Sequence, residues 1–115
     1  MSEGVFITGT DKGVGMTLVA SVVAAALQRR LDGEGGGRVG LWKPVQTGVR
    51  DDASLSDSAR LVLGSGLAIR EADAFSYAFP DPVLPWMAAQ RVGARISLAQ
   101  LEAEGAERRA ACDRL

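Results

Sequence analysis

The first concentration of apolar residues is Val5-Phe6-Ile7, a β-prone run closed by Thr8 and Gly9. Such a run reads as a short buried strand over Val5–Thr8. Gly9, Gly13 and Gly15 then break the chain into a loop. From Met16 to about Leu31 the period changes: Leu18, Val19, Val22, Val23, Ala26 and Leu27 recur at spacings of three and four, which predicts a helix. Arg29 and Arg30 suit its last turn, where cations complement the helix dipole, and Gly33 to Gly37 end it. Val39-Gly40-Leu41-Trp42 predicts a second strand, whose ladder Pro44 stops.

Strand, glycine loop, helix, glycine turn, strand is a βαβ unit. It predicts that Val5–Thr8 and Val39–Trp42 run parallel, joined by a right-handed helical crossover. Thr17 and Lys43 then share one edge of the sheet. Further on, Leu55 to Leu63 suits a short helix, and Phe75, Tyr77, Phe79, Pro80, Pro82 and Pro85 mark a loop rich in aromatics and proline. A helix is expected from about Pro82 to Arg91. Another is expected from Ser97 to about Ala111, where Ser97 and Gln100 form a capping box and Ile96 with Leu101 a hydrophobic staple. The fold class is α/β, a parallel sheet with flanking helices, and residues 1–115 read as one domain with no second domain. Parallel sheets are covered on both faces and need more than two strands. The chain also stops after a helix, where the next strand is due, so it reads as the N-terminal part of a truncated domain. Its uncovered apolar faces are expected to cause aggregation, dye binding or oligomerisation.

Composition narrows the function. The 115 residues are 47% hydrophobic and 23% charged, an ordinary globular balance. A net charge of −1 gives no general attraction to nucleic acid or to an anionic membrane. Histidine is absent, which removes Ser-His-Asp chemistry and the common zinc sites. Cys112 is the single cysteine, so no intrachain disulfide can form, and a reducing compartment is the simpler setting. Residues 1–8 lack a basic leader, and Thr17–Leu27 is too short to span a bilayer. A cytoplasmic location follows as the expectation.

Gly9-Thr10-Asp11-Lys12-Gly13-Val14-Gly15-Met16-Thr17 lies between the first strand and the first helix. It approximates the phosphate-binding pattern G-x-x-x-x-G-K-[ST], with one extra residue between Gly9 and Gly15 and with Met16 in the lysine position. Glycines let backbone N–H groups curl around phosphate oxygens, and the helix N-terminus adds a favourable dipole. Thr17 offers a hydroxyl to Mg2+, whereas Met16 cannot replace an ammonium. A plain strand-to-helix turn explains the glycines but not the placement of Thr17. Lys43 follows the second strand in Leu41-Trp42-Lys43-Pro44-Val45-Gln46-Thr47-Gly48. A lone lysine there is ordinarily a solvated charge, but ligands in open α/β sheets sit at the carboxyl ends of strands, towards which Lys43 would face.

The long Gly-Thr-Asp loop, Lys43-Pro44-Val45 with Thr47 and Gly48, a later aspartate before a helix, and Tyr77-Ala78-Phe79-Pro80-Asp81-Pro82-Val83-Leu84-Pro85 with Ala88-Ala89 together resemble dethiobiotin synthetase. The resemblance runs from Phe6 to about Ala111. It implies a P-loop NTPase-type sheet, a homodimer at full length, and closure of a ureido ring on 7,8-diaminononanoate using CO2, ATP and Mg2+. It further implies that Gly13, Val14, Gly15, Met16, Thr17 and Leu18 hold the ATP phosphates, and that Thr17 and Asp57 bind Mg2+. Asp57 also serves the nucleotide, Lys43 steadies carbamate and phosphoryl charge, and Thr47 contacts substrate. Asp51 and Asp52 compete with Asp57 for the metal. Met16, Gly13 (where the family is frequently acidic) and Leu84-Pro85-Trp86 (in place of Ser-Pro-His) depart from the family pattern, and a later Glu-Gly-Ala-Gly-Gly carboxylate lies beyond Leu115. Two other readings compete. One is a partitioning-type ATPase, whose early loop lysine falls within one residue of Lys12. The other is a catalytically inactive nucleotide-binding fragment.

Overall fold

The computed structural model describes residues 4–10, 15–49 and 56–115. Its elements are α1 (Met16–Gly33), β1 (Lys43–Gln46), α2 (Asp57–Ser65), a short 3-10 turn (Glu71–Asp73), β2 (Phe75–Ala78), α3 (Pro85–Arg91) and α4 (Leu98–Ala110). The architecture is α/β: β1 and β2 form a two-stranded parallel sheet flanked by helices. Lys43 pairs with Phe75, Val45 with Tyr77 and Gln46 with Ala78.

The strands differ from the expectation in three ways. Residues 4–9 form no strand, and Val39 makes only an isolated parallel bridge, to Arg114. The last residues of the chain separate the two segments expected to be neighbours. The Val5 N–H donates to the Leu115 carbonyl at 2.9 Å, while the Gly40 N–H donates to the Arg114 carbonyl at 2.7 Å. Both ladders therefore lean on residues 113–115, too short a stretch to make either a regular strand.

Pro44, secondly, does not stop the ladder but sits inside β1. The Lys43 N–H donates to the Ala74 carbonyl, so the next nitrogen along, that of Pro44, falls on the edge away from β2, where a missing donor is harmless. Thirdly, part of the expected aromatic loop is β2. Phe75, Tyr77 and Phe79 alternate with small residues, the period-2 pattern of a strand. Tyr77 and Phe79 stack with ring centroids 6.1 Å apart.

The helices keep closer to their predicted spans. In α2 the Ser56 side chain accepts from the Ala59 N–H, and Gly66 closes the helix. α3 begins at Pro85, later than expected, because a proline fits the first helical position, where no donor is needed. Ser97 caps α4 by accepting from the Gln100 N–H. The reciprocal half of the capping box does not form, since the Ser97 N–H donates to the Tyr77 hydroxyl instead.

Two clusters make the core. Ala24, Leu31, Val39, Leu41 and Leu61 join α1 to α2, and Phe79, Ala88 and Ala89 sit with Val45 and Tyr77 under α3. The buried face of α1 is Ser21, Ala24 and Leu31. Leu18, Val19 and Val22, part of the apolar repeat that predicts the helix, are exposed, because only one side of α1 is covered. Phe6 is 88% exposed beside the half-exposed Val5. Apolar surface of this kind binds hydrophobic dyes, so the folded chain is expected to enhance the fluorescence of anilinonaphthalene sulfonate well below its unfolding temperature. A monomer silent to the dye would contradict this.

Trp42 anchors α4. Its Nε1 donates to Ser76 Oγ at 2.8 Å, the Arg108 guanidinium lies 5.4 Å from the ring centroid, and the ring edge rests against the backbone at Gly105. Arg108 also donates to the carbonyls of Asp73 and Phe75, tying α4 to the start of β2. Nearby, burial pushes the Cys112 thiol above its ordinary pKa, and the Asp113 charge adds to the shift against opposing backbone N–H groups and Arg38. No described helix is long and apolar enough to cross a membrane.

Candidate functional site

The strongest local signal is the start of α1. Gly15 is its N-cap with φ 94°, a left-handed conformation that favours glycine, and its carbonyl accepts the first helical bond, from the Val19 N–H. Met16 and Thr17 are the first helical residues and are half-buried, and Leu18 is exposed. No N-cap side chain satisfies the first turn of α1. Its backbone N–H groups keep the donor character that suits an anion at a helix N-terminus. Lys12, Gly13 and Val14, together with Asp51 and Asp52, lie outside the described residues.

A second group forms between β1 and α2. Lys43 is the first residue of β1, not the residue after a strand, and its Nζ donates to Asp57 Oδ2. Asp57 is the first residue of α2, where a carboxylate complements the helix dipole. The two side chains are 36% and 42% exposed. An ion pair this open contributes under about 1 kcal/mol to stability, so it can exchange its partners for a ligand at little expense to the fold.

Beneath this pair lies a buried polar cluster that the sequence did not reveal. Gln46, at the end of β1, and Ser58, in the first turn of α2, are almost wholly buried. The Ser58 N–H donates to Gln46 Oε1 at 3.0 Å, and Gln46 Nε2 donates to Ser58 Oγ at 2.7 Å. Ser58 Oγ in turn donates to Glu71 Oε1, which also accepts from Ser56 Oγ at 3.2 Å. Gln46 stood beside the Lys-Pro-Val motif and Ser56 and Ser58 flank Asp57, which was the only available hint. Glu71, thirteen residues beyond Ser58, gave none.

Thr47, the expected substrate contact, is half-buried just beyond β1. Its neighbours are clipped to the segment after β2: the Phe79 N–H donates to the Gln46 carbonyl, and the Gly48 N–H donates to the Asp81 carbonyl. Lys43 and Asp57 are thus brought together, with Thr47 held at the far end of the same strand. Among the described residues no three His, Cys, Asp or Glu side chains gather as a metal site. The Asp57 carboxylate on α2 and, separately, the Thr17 hydroxyl on α1 are oxygen groups of the kind a hard cation such as Mg2+ prefers when it retains waters and phosphate oxygens as its other ligands.

Residues 3–115 match a protein family described as an AAA domain. Among similar proteins, the ATP-dependent dethiobiotin synthetase of Bacillus cereus (strain G9842) is 35% identical over 99 residues, covering 86% of this chain and 39% of that protein. The enzyme of the same name from Bacillus thuringiensis (strain Al Hakam) is 34% identical over 96 residues, covering 84% of this chain and 38% of its own length. A biotin biosynthesis bifunctional protein from Bordetella avium (strain 197N) is 38% identical over 87 residues, covering 76% of this chain and 16% of that protein. The chain therefore spans well under half the length of the relatives it matches.

Proposed function

We propose, because the chain belongs to the AAA domain family, that it is the nucleotide-binding part of an ATP-dependent dethiobiotin synthetase. The substrates are 7,8-diaminononanoate, CO2 and ATP, the metal is Mg2+, the setting is the cytoplasm, and the working form is a homodimer. The observation that carries this is the contact of Lys43 with Asp57: a cation and a carboxylate, both open to solvent, placed by a strand and by the first turn of a helix.

In this reading Gly13 to Leu18 receive the ATP phosphates through backbone N–H groups, and Thr17 and Asp57 hold Mg2+, which neutralises phosphoryl charge when bound. Asp57 also serves the nucleotide. Lys43 leaves Asp57 to steady the carbamate and the transferring phosphoryl group. Fixed positive charge at a transferring phosphoryl group is the main demand of such chemistry. Thr47 orients the diamine. Residues 1–115 act as one domain.

Calorimetric titration of the chain with ATP, with and without Mg2+, tests the reading. The unmodified chain is expected to bind ATP more tightly when Mg2+ is present. Asp57→Asn is expected to lose that gain, roughly tenfold in affinity. Lys43→Met removes an attraction for phosphate and is expected to weaken binding with and without Mg2+. A chain that binds no ATP, or an Asp57→Asn variant with an intact Mg2+ response, would overturn it.

A further inference from the structure

We infer that Gln46, Ser58 and Glu71 form a buried clasp that positions Asp57 for the metal, so that Gln46 and Glu71 are positioning residues of the site. This rests on the metal role proposed for Asp57. The argument begins with the needs of a helix end. The first N–H groups of α2 have no partner within the helix. Ser56 caps the Ala59 N–H from the preceding residue, as serines commonly do. The Ser58 N–H is satisfied by a different element altogether, the Gln46 side chain at the end of β1.

The Gln46 amide can sit in only one sense. Its Oε1 must accept from the Ser58 N–H, which leaves Nε2 to donate to Ser58 Oγ. That hydroxyl then has its proton free for Glu71 Oε1, the third member. The two bonds between Gln46 and Ser58 have a fixed direction, Ser58 Oγ also meets Ser56 Oγ at 3.2 Å, and Ser58 is completely buried. A buried network in which each polar group is satisfied holds a single geometry.

The consequence falls on the residue in between. Ser56 and Ser58 flank Asp57, and both are tied to Glu71. Lys43 and Gln46 are the two ends of β1, and both reach the first turn of α2. The buried contact fixes the helix end against the strand. The exposed contact, Lys43 with Asp57, is then free to rearrange without the helix end moving. Partners that orient a metal-binding carboxylate typically matter by about 10–100-fold in metal affinity.

The test is Mg2+-dependent ATP binding by the chain carrying Gln46→Leu, Asp57→Asn, or both, with helical content checked by circular dichroism. Gln46→Leu is expected to lower the Mg2+-dependent gain about tenfold and to add nothing when Asp57→Asn is already present. Glu71→Gln, which keeps an acceptor oxygen, should retain the gain that Glu71→Ala loses. Should Gln46→Leu fail to fold, this half-buried Glu71 pair decides the matter. If Asp57→Asn alone has no effect, the metal role of Asp57 fails and the clasp fails with it. If Asp57→Asn acts but Gln46→Leu does not, or if their effects simply add, the positioning role alone is overturned.

Discussion

Replacing Met16 with lysine is expected to tighten Mg2+–ATP binding about tenfold or more. An ammonium beside a phosphate in a partly desolvated site makes charge-assisted hydrogen bonds worth about 1.5–3 kcal/mol each. Even one bond at the low end of that range corresponds to about a factor of ten. Met16 opens α1 directly after the left-handed Gly15, and its thioether donates nothing. The backbone N–H groups of the same turn are unaffected by the change, so ATP binding by the unmodified chain is expected to rest on them. The gain should shrink with added salt, as an attraction between partly exposed charges must. Calorimetry at low and at high ionic strength measures both effects, and Lys12→Ala in each background reports whether Lys12 already supplies the missing charge. Equal affinities for Met16 and Met16→Lys would remove Met16 from the phosphate site. In the full-length enzyme proposed above, the larger benefit is expected in phosphoryl transfer, where charge stabilisation counts most.

Gly105→Val should lower the thermal midpoint by roughly 10 °C. A Cβ at Gly105 would stand 2.9 Å from two carbons of the Trp42 ring, closer than real side chains approach. The ring cannot swing aside cheaply, because Ser76 holds its Nε1 and Arg108 lies over its face. Overpacking of this kind costs about 1–3 kcal/mol, whereas removing a glycine from a helix returns less than about 1 kcal/mol. A net loss of about 2 kcal/mol shifts the midpoint of a domain near this size by roughly 10 °C. The unfolding transition followed by Trp42 emission measures it, with Trp86→Phe to remove the second, exposed indole. An unchanged midpoint would mean that α4 does not press on Trp42.

What could be read in advance divides along physical lines. The start of α4 and the extent of α1 were legible because caps and helical periodicity are local signals, carried within four residues of one another, whereas α2 was expected from Leu55 and begins two residues later. The pairing of Lys43 with Asp57 was only half legible: both residues were singled out, but their direct contact depends on where β1 begins. That start was misplaced because Pro44 reads as a strand stop, and only the pairing direction shows its missing donor to be harmless. β2 was hidden among prolines that belong to the turn after it. The clasp could not be read at all, since Gln46, Ser58 and Glu71 are joined by tertiary packing and carry no periodic pattern.

The meeting of the first and last described residues bears on how the chain opens. Bringing together ends separated by nearly the whole length of the chain costs about 4 kcal/mol in loop-closure entropy. One backbone bond, worth about 1 kcal/mol net, cannot offset that alone. The Val5–Leu115 contact therefore exists by courtesy of the Val39–Arg114 bridge and the helices behind it, and it should be the last to form and the first to part. Amide hydrogen exchange would record this as a gradient: quick at Val5, slower at Gly40, slowest within α1. Fluorophores placed beside Val5 and Leu115 would report the parting of this contact long before the whole chain unfolds.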